Sequence, residues 1–142
     1  MSVTIHHDRV CGTSRNTLAL IRHVGLAPEV IEYLETPPTK DVLRELVAAM
    51  GITVRERLRK KDTPHDELGL DDPKWSGEEL LDFIGWYPIL MDRPVVVTPP
   101  GTKLCRPSEA VIELLPVDPP IARFTKEDGE VVTDPGARRV RR

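Results

Sequence analysis

A β-prone run, Val3 to His6, leads into Cys11-Gly12-Thr13-Ser14 and then into apolar residues at helical spacing, with Leu18 and Ile21 on one side. A second β-prone run, Val30-Ile31-Glu32-Tyr33-Leu34, follows. Strand, helix, strand in that order is the opening of an α/β fold. It also fixes where Cys11 falls, at the point where a strand has ended and a helix begins. Unpaired backbone N–H groups and the positive end of the helix dipole at such a junction favour thiolate over thiol. The thiolate is the nucleophilic form, so Cys11 is a candidate reactive cysteine.

The rest of the chain continues the pattern. The first helix, Ser14 to His23, is expected to stop at Gly25. Thr36-Pro37-Pro38 ends the second strand, and Thr39 reads as an N-cap for a helix carrying Val42, Leu43, Leu46, Val47 and Met50 on one face. Gly51 reads as its terminator. Residues 54–61 spell a short basic helix or turn, and such a charge run is usually a solvated face. Ser76-Gly77-Glu78-Glu79 is a capping-box signature for a helix to about Trp86, stopped by Pro88. Trp75, Trp86 and Tyr87 are expected in the core of this helical segment. Val95 to Thr98, a Pro99-Pro100-Gly101 turn, and Thr102 to Cys105 make a hairpin. Pro107-Ser108 opens a last helix to about Leu115. The predicted architecture is therefore α/β: a thioredoxin-like three-layer fold with a helical insertion at about 39–87 between its βαβ half and its ββα half. Residues 1–130 are expected to form a single domain, and residues 131–142 a flexible basic tail.

Composition narrows the function. A formal net charge of −3 provides no basic field for nucleic acid, and the dense basic residues are confined to Arg138–Arg142. No apolar stretch approaches the roughly 20 residues of a membrane span, and no secretory signal pattern opens the chain. Two cysteines, Cys11 and Cys105, make neither a zinc pattern nor a disulfide framework. The expectation is a protein of the reducing cytoplasm, with no metal and no bound cofactor. Cys105, at the end of an apolar strand, is read as a packing residue.

Several spaced segments carry a family resemblance. They are Cys11-Gly12-Thr13-Ser14-Arg15-Asn16-Thr17, Tyr33-Leu34-Glu35 with Pro37-Pro38, and Val54-Arg55 with Leu58-Arg59-Lys60. Further on come Pro88-Ile89-Leu90, Arg93-Pro94-Val95-Val96-Val97-Thr98-Pro99, Leu104-Cys105-Arg106-Pro107-Ser108-Glu109 and Phe124-Thr125-Lys126-Glu127-Asp128-Gly129. Together they resemble the glutaredoxin-linked arsenate reductases from Val3 to about Gly129. The resemblance implies reduction of arsenate to arsenite on a thioredoxin-like scaffold, with Cys11 as nucleophile. It implies Arg59, Arg93 and Arg106 around the oxyanion, and His7 and Ser14 near the thiol as its activators. Gly12 and Pro94 would shape the site, Pro94 as the cis-proline of this superfold. Glutathione would be co-substrate and glutaredoxin a partner. Where members commonly carry Asn-Pro before the nucleophile, this chain has Asp8-Arg9-Val10.

The residue types suit that chemistry. Arsenate is an anion that a thiolate must approach, and arginine forks neutralise it with bidentate hydrogen bonds while stabilising the ionised sulfur. Gly12 would permit close approach at the helix start, and Ser14 could donate to the thiolate. Arg15 is expected to pair with an acidic neighbour. Serine at position 14 leaves no local resolving thiol, so external thiols are required. It also counts against a second reading, a redox regulator of the Spx type binding RNA polymerase, which typically carries CxxC. A third reading, a monothiol disulfide reductase, has no use for three oxyanion-matched arginines. A Cys-x5-Arg phosphatase loop is excluded, because the residue six after Cys11 is Thr17.

Overall fold

The computed structural model describes residues 2–115 and 122–133. The chain divides into two compact units, one from Met1–Ile31 with Arg93–Arg142, the other Glu32–Asp92.

The first unit is built on a four-stranded sheet ordered β2-β1-β3-β4, from β1 (Thr4–His7), β2 (Glu29–Glu32), β3 (Val95–Thr98) and β4 (Gly101–Leu104). Helix α1 (Gly12–His23) connects the neighbours β1 and β2. The β-branched run Val95-Val96-Val97 suits a central strand. It pairs antiparallel with β1, placing Ile5 opposite Val96, and antiparallel with β4, placing Thr98 opposite Gly101. Pro99 and Pro100, which have no N–H to contribute to a ladder, occupy the two-residue turn. Ile5, Leu20, Ile21, Val96, Val111, Ile112 and Phe124 make the core. Full burial of a side chain like Leu20 or Ile21 contributes about 2 kcal/mol.

The expected last helix is present as a 3-10 helix, Ser108–Leu114, packed on α1. A three-residue period stacks Ser108, Val111 and Leu114 in one column, and all three are buried. Sequence reading missed a second, two-stranded sheet, β5 (Phe124–Thr125) with β6 (Val131–Thr133). Phe124 and Val132 bury themselves in the core, and Gly129 supplies the turn with a φ of +92° that other residues rarely adopt. Residues 131–133 are therefore strand, not the start of a flexible tail; the remainder of that predicted tail, 134–142, lies outside the described residues.

In the second unit, α2 (Lys40–Met50) starts at Thr39, whose hydroxyl accepts the Val42 N–H at 3.3 Å, and ends at Gly51 with a φ of +69°. Helix α3 (Gly77–Trp86) carries the full capping box of Ser76 and Glu79. Leu43, Leu46 and Val47 of α2 and Leu80, Leu81 and Ile84 of α3 are buried. Ion pairs Lys40–Asp82 and Arg44–Glu78 bridge the two helices on the surface. Trp86 is exposed instead of buried, in edge contact with Phe83, and Tyr87 is also exposed.

The basic run is not the solvated face it resembles. Arg55–Arg57 is a 3-10 turn in which Arg57 is buried and donates to the Asp92 carbonyl at 2.9 Å. Burial pulls its pKa down to about 10. Arg55 donates to the carbonyls of Leu70 and Asp72. The segment between Leu58 and Ser76 has no helix or strand to satisfy its carbonyls, and the Arg55 guanidinium takes up part of that duty.

Candidate active site

Cys11 is the N-cap of α1, in extended conformation with φ −86° and ψ 122°. Its N–H donates to the Asp8 carbonyl at 3.0 Å, and its own carbonyl starts the helix by accepting from Arg15. The residue is 8% exposed. Burial by itself would push the thiol pKa up. The Ser14 backbone N–H, the Arg106 guanidinium and the positive charges of Arg93 and Arg106 outweigh it, and the net shift is downward. A helix start with two nearby cations is the recognised setting for a thiolate.

The two arginines arrive from the far side of the sequence. Arg106 follows β4, and its Nη1 lies 3.7 Å from Cys11 Sγ while also donating to the Arg93 carbonyl at 2.9 Å. Arg93 precedes β3, is buried, and its Nε sits 3.4 Å from an Asp8 carboxylate oxygen. Arg93–Pro94 and Arg106–Pro107 are both cis, the second of which the sequence did not announce. Pro94 accepts the Cys105 N–H at 2.9 Å, which ties the two arginine-bearing segments together. On β1, buried His7 places Nδ1 2.6 Å from Ser14 Oγ.

Comparison with known proteins gives this geometry a family. Residues 6–114 match the model of the ArsC family. The chain belongs to the ArsC family. Over 140 residues, 99% of either chain, it is 55% identical to the arsenate reductase of Rhizobium meliloti (strain 1021) and 54% identical to that of Escherichia coli (strain K12). The solved structure of the arsenate reductase from Vibrio cholerae superposes with a TM-score of 0.78 at 40% identity, covering 81% of this chain and 98% of that one. The fold is the thioredoxin-like α/β fold of ArsC proteins, as expected from the order of elements.

Within this ArsC chain, the structure brings together Cys11, Ser14, His7, Arg93 and Arg106. It differs from expectation in how Ser14 serves the sulfur: the hydroxyl goes to His7 and accepts the Asp8 N–H at 3.1 Å, while the backbone N–H faces the thiolate. His7 thus meets Ser14, in the first turn of the helix that Cys11 caps. A Cβ added at Gly12 would meet Arg15 Nη2 at 3.7 Å, an ordinary contact, so nothing in the protein itself demands glycine there. Arg59 belongs to the second unit, where its N–H donates to the Leu90 carbonyl and its side chain lies 3.9 Å from Asp62. Cys105 is fully buried in the core, and burial pushes its thiol up to about 12. It packs in the core, as the apolar residues around it suggested.

Two residues near the sulfur carry more than their sequence context showed. Asp8 is buried, and an Asx-type turn in which its Oδ1 accepts the Val10 N–H at 3.0 Å shapes the loop. Arg15 pairs with an acidic residue, but one 112 positions away: Glu127, at 2.8 and 3.0 Å, in the β5–β6 turn. Arg15 also donates to the Arg9 carbonyl, so that hairpin is fastened to the loop before Cys11. A cluster of residue types that could ligate a metal, His65 with Asp66 and Asp71, lies in the second unit. Its Asp71 already has Lys60 Nζ at 3.1 Å.

Proposed function

We propose that this protein is an arsenate reductase that uses glutathione and glutaredoxin as reductants. The observation that carries the reading is the placement of Cys11 Sγ at a helix start, 3.7 Å from the Arg106 guanidinium and within the field of Arg93. The names and the 54–55% identity of the full-length relatives support the substrate. In the proposed cycle, the Cys11 thiolate attacks the arsenic of arsenate. An As–O bond breaks, and the departing oxygen leaves as water after protonation. Arg93 and Arg106 donate hydrogen bonds to the remaining oxygens, and backbone N–H groups of the first turn of α1 add to them. The thiolate of glutathione then forms an S–S bond to Cys11. The S–As bonding pair stays with arsenic, which passes from +5 to +3 and leaves as arsenite. Glutaredoxin clears the Cys11–glutathione disulfide by thiol exchange.

His7 and Ser14 orient the loop and the N–H that stabilises the thiolate. Arg59 is assigned as a third oxyanion ligand on the family resemblance, and its own substitution tests it. External thiols follow from serine at position 14 and from the burial of Cys105. Both cysteines are free thiols, and among the described residues no helix is long and apolar enough to cross a membrane, which agrees with work in the reducing cytoplasm. Wild-type protein with glutathione and glutaredoxin should convert arsenate to arsenite, and Cys11→Ser should not. Absence of turnover by the wild type with both thiols present would overturn the reading.

A further inference from the structure

The carboxylate of Asp8 has no part in the cycle above, yet it is buried beside the one charged group that a thiolate–oxyanion site can least do without. One oxygen accepts the Val10 N–H at 3.0 Å, and the other lies 3.4 Å from Arg93 Nε. Both side chains of this pair are about nine-tenths buried, so solvent screens the interaction weakly. The same residue's carbonyl accepts the Cys11 N–H, and its N–H donates to Ser14 Oγ. Asp8 thus touches the nucleophile's backbone, the activating serine and the oxyanion arginine at once.

We propose that Asp8 is an affinity-setting residue of this site: its carboxylate holds Arg93 in place while cancelling part of that arginine's charge, which weakens the hold on divalent oxyanions. The proposal rests on reading the surroundings of Cys11 as an oxyanion site. In the first unit the charges around the sulfur are Arg93 and Arg106 against Asp8 and the thiolate, with His7 behind Ser14. Arg15 of α1, near enough to feel both Asp8 and Cys11, is already paired with Glu127. Asp8 and the thiolate thus offset much of the attraction that Arg93 and Arg106 offer a dianion. A neutral residue at position 8 would leave one positive charge uncancelled. A site tempered in this way releases bound oxyanions more readily, the arsenate substrate included.

The loop and the charge can be separated by substitution. Asp8→Asn and Asp8→Ser both keep a side-chain oxygen able to accept the Val10 N–H, so the turn survives, and both lose the charge. The measurement is the rate of Cys11 alkylation by iodoacetamide, followed against sulfate concentration and against pH, with circular dichroism checking that each variant is folded. It needs no turnover. Both variants should be protected by sulfate at concentrations roughly fivefold lower than wild type, the scale of one added charge near a protein surface. Their thiol titration should move to lower pH. Unchanged or weaker sulfate protection in either folded variant overturns the proposal. Sulfate protection in the wild type with no difference in the variants sinks the role of Asp8 alone; no protection in the wild type or in either variant sinks the oxyanion site itself.

Discussion

The two cysteines of this protein sit in one compact unit and behave as opposites. Cys11 stands at the first turn of a helix, where the Ser14 backbone N–H and two guanidinium groups overcome the cost of burying charge. Cys105 directly follows β4 inside the core, where it feels the charge of Lys103, and burial carries its thiol up to about 12. Both are buried, Cys105 the deeper of the two, at 0% exposed against 8%. What also differs is the supply of N–H donors and positive charge at the sulfur: Cys11 caps a helix between two arginines, whereas Cys105 follows a strand. Reactivity in this fold is a property of the position, and the side chain borrows it.

Removing each sulfur is the strongest way to break the comparison. Cys11→Ser should lower arsenate turnover by roughly a thousandfold or more, as loss of a nucleophile does elsewhere. Cys105→Ala should turn over near the wild-type rate in the same coupled assay. Comparable losses in both would erase the distinction. Next in size, Arg106→Ala should reduce kcat/KM by roughly ten- to a hundredfold, the lower part of the range for losing an oxyanion donor because Arg106 is partly solvated. Its Cys11 titration should move up in pH. An unchanged titration would mean that the 3.7 Å contact does not stabilise the thiolate.

A smaller effect tests the core cysteine. Cys105→Ser buries a hydroxyl in the core and should cost about 1–3 kcal/mol in chemical denaturation. The raised thiol also has a signature in wild type. A group whose folded pKa lies above its unfolded value contributes stability that is intact below the unfolded pKa. That contribution is lost as pH rises toward the folded one. Stability should fall from about pH 9 toward pH 12, and Cys105→Ala should flatten that decline. Smallest of all, Glu127→Gln frees Arg15 from a solvent-exposed pair. It should alter the Cys11 alkylation rate by less than about twofold. A large change would promote the β5–β6 hairpin from fastening to control element.

Much of this was legible in the chain. Caps at Thr39 and Ser76 and the stop at Gly51 are local events, fixed by hydrogen bonds within four residues, and they were found where the sequence put them. The βαβ start and the Val95–Leu104 hairpin follow from β-branched runs and turn residues in the same way. Several of the misses are long-range. Phe124 and Val132 are an ordinary pair of apolar residues in a polar stretch until the core accepts them. Arg55 and Arg57 look solvated because nothing nearby in sequence shows that carbonyls at Leu70 and Asp92 lack donors. The site divides along the same line. A thiol at a strand-to-helix junction can be read from neighbours, whereas Arg93 and Arg106 reached the list through family resemblance, and the Asp8–Arg93 pair spans 85 positions with no local signal.

The most direct test of the central claim is the pH dependence of iodoacetamide alkylation at Cys11 in the wild type and in Arg106→Met, with Cys105→Ala in both to leave a single thiol. A site that ionises its sulfur by helix start and guanidinium charge should give a midpoint below that of an ordinary cysteine thiol in the wild type, and a higher midpoint in the methionine variant. A wild-type midpoint at or above the ordinary value, indifferent to Arg106, would contradict it.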